Sequence, residues 1–425
     1  MEHQEALTIL AEIEPDQKAE LEHVLEAVGA SAAQNDVIPF GRLPNVHFAR
    51  FVVLDETTDL AGARIPPFLA YMSDVDGTLE RHLEELVDLA GEGIDRVFGR
   101  CVGYPPGDNR TRRTRLAFLH ARTIGSGVVY VNTVGRTVRQ IHREAQLREA
   151  IQDFLDRPEH DWSLRTPQET RAAIQQFVRD QPTLSWAKAP EPPLSLSWRV
   201  KEKLHFAGAL LGLLALSPII IAVFPSWLVM LRLHELSDVP ENVRPTAARL
   251  EQLAALEDHV VQNQLSAIGF VKPGWFRQFT VAVVSWLTIL GARHLFNNGN
   301  LGGVKTIHFA RWVSVNEGRR ILFAPNYDGS LDRYMGDFID QIAWGLNAHD
   351  SNGFGFPKTS WLIFGGANNE EELKNYVRNH QIITQVWYTA YPELSTANID
   401  NNARIRVGLY GQMTDDETRQ WLARL

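Results

Sequence analysis

One cysteine in 425 residues leaves no partner for an intramolecular disulfide, so the chain has no need of an oxidising compartment. Positive charge is also scarce: 42 Lys and Arg against 51 Asp and Glu leave a net charge of −9. That excludes a global basic field able to recruit nucleic acid. Walker A, Gly-x-Ser-x-Gly and His-Glu-x-x-His patterns are missing. No two histidines stand at i,i+4, so a helical metal site has no support. The glycines at 299, 302 and 303 precede a strand-like run rather than a helix, which excludes a dinucleotide fingerprint there. Met1-Glu2-His3-Gln4-Glu5 carries neither the basic start nor the apolar core of a secretory signal. The first 200 residues are therefore expected in the cytoplasm.

What the chain does have is an internal repeat. Val46-His47-Phe48-Ala49-Arg50-Phe51 returns as Ile307-His308-Phe309-Ala310-Arg311-Trp312, at a spacing of 261. Asp76-Gly77-Thr78-Leu79 returns as Asp328-Gly329-Ser330-Leu331, and Gly103-Tyr104-Pro105 as Gly355-Phe356-Pro357, both at 252. Ala145 to Arg148 matches Ala403 to Arg406 at 258. Collinear matches with small shifts indicate a duplication.

The hydrophobic pattern fills in the elements. Residues 6–13, 46–54 and 67–72 read as strands, and 116–121, continued by 128–131, as another. Amphipathic helices are expected from Pro15 to about Val28 and after Asp76-Gly77-Thr78. The order is β-α-β-β-α-β, the ferredoxin-like pattern. Farther on, 306–315 and 320–323 read as a hairpin, 331–346 and 370–379 as helices, and 361–364 and 382–388 as strands. This half gives β-β-α-β-α-β, so either the duplication is imperfect or edge strands are exchanged. The expected fold class is α+β: two ferredoxin-like repeats packed sheet to sheet, at 1–160 and 301–425. Between them are expected a linker at 161–198 and a helical, apolar, membrane-associated insertion at 199–300.

This arrangement resembles the dimeric α+β barrel superfamily in its duplicated, single-chain form, over roughly residues 5–150 and 303–411. Chlorite dismutases and dye-decolorising peroxidases belong to that superfamily. The Gly-x-x-Asp-Gly motif of the peroxidases falls here on Ser73-Asp74-Val75-Asp76-Gly77 and on Pro325-Asn326-Tyr327-Asp328-Gly329, with Ser and Pro in place of the leading glycine. The resemblance implies haem as a cofactor and peroxidase-like oxidoreductase activity.

Residues 206–231 are 26 without a charge, more than the roughly 18–20 needed to cross a bilayer. Pro218 and Pro225 interrupt them, and a second uncharged stretch, 278–292, is only 15 residues long. If the two repeats pack together they share one side of any membrane, which excludes a single crossing. A hairpin anchor or a monotopic, in-plane helix on the cytoplasmic side is expected, with membrane lipid and an apolar small molecule as partners. The alternative is a hairpin buried in a soluble domain. Arg110, Arg112, Arg113 and Arg115 form the one dense cationic cluster, suited either to anionic headgroups or to a solvated loop. Self-association into a homo-oligomer is compatible with all of this.

Alternation along the strand sets His308, Ala310 and Trp312 on one face and Phe309, Arg311 and Val313 on the other. A buried guanidinium needs an acceptor, here Asp337 or Glu84 or else a ligand carboxylate. His308, Arg311 and Asp328 form the candidate catalytic set. Asp76 and Asp328 otherwise read as N-caps of the helices they precede, and His47 and His308 as satisfied core residues. His349, placed in a Gly- and Asn-rich loop, and His380 are candidate axial ligands of a haem iron. Tyr327 and Trp387 supply aromatic walls to a cofactor or substrate pocket. Two functions stay open: a membrane-surface oxidoreductase acting on a lipid-derived substrate, and a non-catalytic lipid-binding or scaffolding protein.

Overall fold

The computed structural model describes residues 2–125, 127–158 and 161–425. The chain opens with β1 (Gln4–Glu12), α1 (Lys18–Gly29) and β2 (Val46–Leu54), then a short ribbon of β3 (Thr57–Thr58) and β4 (Arg64–Ile65). β5 (Phe68–Asp76), α2 (Leu79–Phe98), α3 (Arg112–Arg122), β6 (Val128–Val131), α4 (Val138–Leu155) and α5 (Pro167–Asp180) follow. The middle holds α6 (Leu196–Ser237), α7 (Ala247–Ala254), β7 (Gln262–Gln264), β8 (Ala267–Phe270) and α8 (Trp275–His294). Next come β9 (Ile307–Val315), β10 (Arg320–Phe323), β11 (Asn326–Asp328) and α9 (Leu331–Asp350). The chain closes with β12 (Thr359–Ser360), β13 (Phe364–Gly365), α10 (Glu370–His380), β14 (Val386–Thr389), α11 (Thr396–Val407) and α12 (Asp415–Leu422). The architecture is α+β, with antiparallel sheets.

The N-terminal sheet has the order β1-β5-β2-β14. In the C-terminal sheet β9 pairs with β11 along its start, with β10 along its end and with β6 on its other edge. β7 and β8 extend this sheet outward from β11 and β10. Pro325 has no N–H to give to a ladder, and here it separates β10 from β11 where β5 runs unbroken. Each sheet takes one edge strand from the other half of the chain. Val386 stands opposite Phe51 and Tyr388 opposite Ala49, while Val128 stands opposite Trp312 and Tyr130 opposite Ala310. These pairings match at the sequence offsets of 258 and 261. α2 and α9 are both 20 residues long, and each loses helical geometry at one point, Ala90 and Ile342, again 252 apart. Gly77 and Gly329 both adopt positive φ, 88° and 77°, which explains glycine after each aspartate.

The two sheets face each other through Val52, Leu54, Ala70 and Met72 on one side and Val313, Val315, Leu322 and Ala324 on the other. Burying each of the larger aliphatic side chains contributes about 1.5–3 kcal/mol. On its far side the N-terminal sheet is covered by α1, α2 and the 30–45 loop, which drives Val37, Ile38, Phe40 and Leu43 into the core. The far side of the C-terminal sheet is covered by α8, α9 and α10, with fewer buried side chains.

Several expectations are corrected. Residues 116–121 belong to helix α3: Thr111 and Thr114 close a capping box at its start, and Phe118 and Leu119 are its buried residues. The Arg cluster there is largely engaged within the protein, Arg112 with Asp88 and Arg115 with Asp95. Residues 361–364 do not form a strand, because Trp361 and Leu362 have φ of 55° and 70°. After α7 ends at Ala254, the polar run Gln262–Gln264 forms the edge strand β7, the Gln262 side chain donating to the carbonyls of Tyr391 and Leu394. Within the stretch expected as a linker, α5 packs Ile174 and Val178 against Leu147, Ile405 and Trp421.

α6 is one continuous helix of 42 residues, not two legs broken at its prolines. Pro218 removes the N–H that would bond the Leu214 carbonyl, and the Ser217 hydroxyl donates to that carbonyl instead at 2.7 Å. Among the described residues α6 is the one helix long and apolar enough to cross a membrane, and its most apolar window is wholly unburied. Both ends are tied to the same body. Near the start, Arg293 makes a bidentate pair with Glu202 at 2.6 and 2.5 Å, and Trp198 stacks on His3. Near the end, the buried Glu235 carboxylate accepts from the backbone N–H groups of Trp361 and Leu362 at 2.8 and 2.7 Å. Glu235 lies 33 positions after Glu202, roughly 50 Å along the helix.

Candidate functional site

Between the sheets lies a layer of saturated polar groups. Arg311 donates to the carbonyls of Leu7 (2.5 Å) and Ser73 (3.0 Å) and to the Asp74 carboxylate. Arg50 donates to the carbonyls of Leu265 (2.7 Å) and Pro325 (2.8 Å) and to Asn326 Oδ1 (2.5 Å). Partner for partner, the two arginines are equivalent by the repeat offsets, with Asn326 replacing Asp74. Their acceptors come from the facing sheet, not from Asp337 or Glu84. Two guanidiniums thus share one carboxylate, and burial, with the like charge of Arg311 second, pushes Arg50 down to about 9.

The histidines repeat the same symmetry. His308 Nε2 bonds Asp328 at 2.7 Å and His47 Nε2 bonds Asp76 at 3.0 Å. The second oxygen of Asp328 accepts from Thr396 N at 2.8 Å, and that of Asp76 from Val138 N at 2.8 Å. Each carboxylate therefore sits at the first turn of a later helix, α11 or α4, where the N-terminal dipole favours it. The helices that directly follow are capped by Ser330 and Thr78. This corrects the expected capping role. The cleft beside His47, His308 and Tyr391 holds only about 20 Å³. Trp387 joins the same layer, its Nε1 donating to Asn326 at 3.0 Å.

His349 and His380 lie elsewhere, on the helix side of the C-terminal sheet. There a cavity of about 570 Å³ is walled by Leu210 and Leu213 of α6, Val284 and Leu287 of α8, and Ile342 of α9. A smaller cavity of about 90 Å³ runs beneath α10, beside Tyr376 and His380. Trp312, Phe338, Leu346 and His349 border both. His349 occupies the last turn of α9 rather than a loop. Its Nδ1 bonds the Asp350 carboxylate at 2.7 Å, and its buried Nε2 has no partner among the described residues. His380 Nδ1 bonds the Tyr376 carbonyl at 2.9 Å. Tyr327 stacks on Tyr334 with ring centres 4.0 Å apart, and burial raises the pKa of both phenols.

The structure thus separates the expected site residues. His308, Arg311, Asp328 and Trp387 belong to the inter-sheet layer, and His349, His380 and Tyr327 to the opposite side of the C-terminal sheet. The walls given by α6 and α8 were not foreseen as part of a site. The only sequence signal for them is that two uncharged stretches, 206–231 and 278–292, precede this half. Comparisons of the chain with protein-family models, curated proteins and solved structures return no match.

Proposed function

We propose that this chain is a membrane-surface protein that takes an apolar, lipid-derived molecule into the cavity between α6, α8, α9 and the C-terminal sheet. The frame, on this reading, is a pair of ferredoxin-like repeats with exchanged edge strands. The observation that carries it is that the 570 Å³ cavity has nearly all-apolar walls and takes part of them from the exposed helix α6. Its size falls in the range of small-molecule sites, about 300–1,000 Å³. With both ends of α6 fixed to one body, a helix lying in one leaflet accounts for its exposed apolar surface better than a crossing does. Lipid would then enter directly from the bilayer.

The oxidoreductase reading is less well supported. A haem needs cations or polar groups for its propionates, yet no Arg or Lys lines either cavity. Arg50 and Arg311 face the other way and are saturated. His349 offers a nitrogen, but the rest of the wall does not fit the group.

The test is to purify the protein in detergent, extract it with solvent and identify bound lipid by mass spectrometry. A stoichiometric apolar molecule is expected. Leu287→Trp, which narrows the cavity, should reduce it at least severalfold. Partition of the wild type into the supernatant without detergent, together with an empty extract, would overturn the reading.

A further inference from the structure

Among the described residues, His349 is the buried side chain on the boundary of both cavities that has a ring nitrogen left over. Its surroundings define what that nitrogen can bind. With the Asp350 carboxylate accepting the Nδ1 proton, Nε2 is a bare acceptor whenever the ring is uncharged. A hydrogen bond of this kind fixes the tautomer and the ring's orientation. Trp312, with its ring centre 5.3 Å away, holds the imidazole from the sheet side. The residue is 6% exposed and Nε2 itself is covered, so a ligand hydroxyl reaches it through a small turn of the ring or of a neighbouring wall side chain.

We propose, resting on the cavity reading above, that His349 is the polar anchor of the site and that its ligand is a neutral single-chain lipid ending in a hydroxyl, of the long-chain alcohol class. An O–H group supplies the donor that Nε2 lacks, and a buried acceptor gains most from such a bond because its alternative is to remain unsatisfied. A fatty-acid carboxylate meets no cation in the wall and lies near the negative Asp350. A phosphate head meets the same obstacle with more charge. A plain alkane fills the walls but leaves Nε2 unpaired.

Trp312 and Trp344 both line the larger cavity, so brominated chains bound there quench tryptophan fluorescence. Titration of the detergent-solubilised full-length protein with dibromo-octadecanol, dibromo-octadecane and dibromostearic acid tests the anchor. The alcohol should bind about tenfold more tightly than the alkane, the effect of one well-made buried hydrogen bond. Quenching should fall in Trp312→Phe, which places the chain in this cavity. His349→Leu should bring alcohol and alkane to the same affinity, and His349→Gln, which keeps an acceptor, should retain part of the preference. Should His349→Leu fail to fold, His349→Gln and Asp350→Asn carry the test through a reduced alcohol-to-alkane ratio. Equal binding of alcohol and alkane by the wild type, or tighter binding of the acid, overturns the anchor while leaving the cavity reading intact. Absence of quenching by every probe overturns both.

Discussion

The two halves of this molecule follow the same register and differ in what fills them. At the end of α2 stand Val97 and Phe98, both fully buried; at the matching turn of α9, 252 residues on, stand His349 and Asp350. Phe51 of the N-terminal sheet packs against Phe40, Tyr71 and Phe98, whereas its counterpart Trp312 borders two cavities. The loop that plugs the first core with Phe40 has no equally apolar partner before β9. Two halves in one register can thus differ in packing, one filled and the other hollow, while they share one sheet interface. The repeated Arg50 and Arg311 lie at that interface, each donating to carbonyls of the facing sheet.

The sharpest break in that symmetry is Asp74 against Asn326, and the largest effect is expected there. Arg311→Ala removes the cation that pairs with a buried carboxylate, which should destabilise the protein by about 3–5 kcal/mol. Arg50→Ala leaves only carbonyls and an amide short of a donor and removes a charge that burial disfavours, so about 1–3 kcal/mol is expected. Urea unfolding of both variants measures the difference. Asn326→Asp, by giving Arg50 its own carboxylate, should shrink that gap. Equal losses for the two arginine variants would mean that the shared charge has no energetic weight.

Much of this frame was legible because repeated turns and strands carry repeated residues. His-Phe-Ala-Arg marked β2 and β9, and Asp-Gly marked two positive-φ glycines. The exchange of edge strands was legible only as an alternative, since Val128–Val131 and Val386–Thr389 look the same whichever sheet they join. Residues 116–121 were misread because Leu116 and Phe118 alternate as in a strand, and the deciding contact, Arg115 with Asp95 of α2, is tertiary. β7 was hidden for the opposite reason: Gln262, Asn263 and Gln264 are polar, yet their side chains bond neighbouring groups in the fold. The cavity could not be foreseen, because its walls come from segments that resemble membrane helices in sequence and serve here as cover for a sheet.

Acid titration separates the halves at a second matched position. His82 of α2 is fully buried, its Nε2 lies 3.2 and 3.1 Å from the Tyr71 and Ser73 hydroxyls, and burial pushes it down to about 4. Its counterpart in α9 is Tyr334, which does not titrate in acid. Between about pH 6.5 and 4 the unfolded chain binds a proton at residue 82 that the folded chain refuses. The histidine's contribution is therefore intact above about pH 6.5 and is lost as pH falls toward 4, by roughly 3 kcal/mol. His82→Phe should flatten the pH dependence of unfolding over that window by this amount. An unchanged slope would show that the ring is already charged in the folded protein.

Overpacking gives the smallest effect and the most direct comparison of filled with hollow. Val97→Phe adds atoms to a core that has no room, which costs about 1–3 kcal/mol through displaced neighbours. Ala348→Leu adds a similar apolar bulk beside the 570 Å³ cavity, where new carbon atoms meet open space and gain contact rather than clash. Its effect on the unfolding midpoint in detergent should lie within about 1 kcal/mol of zero and tend toward stabilisation. Losses of equal size from the two substitutions would mean that the C-terminal cavity closes in solution, and the walls of α6 and α8 would then be packed as tightly as those of α1 and α2.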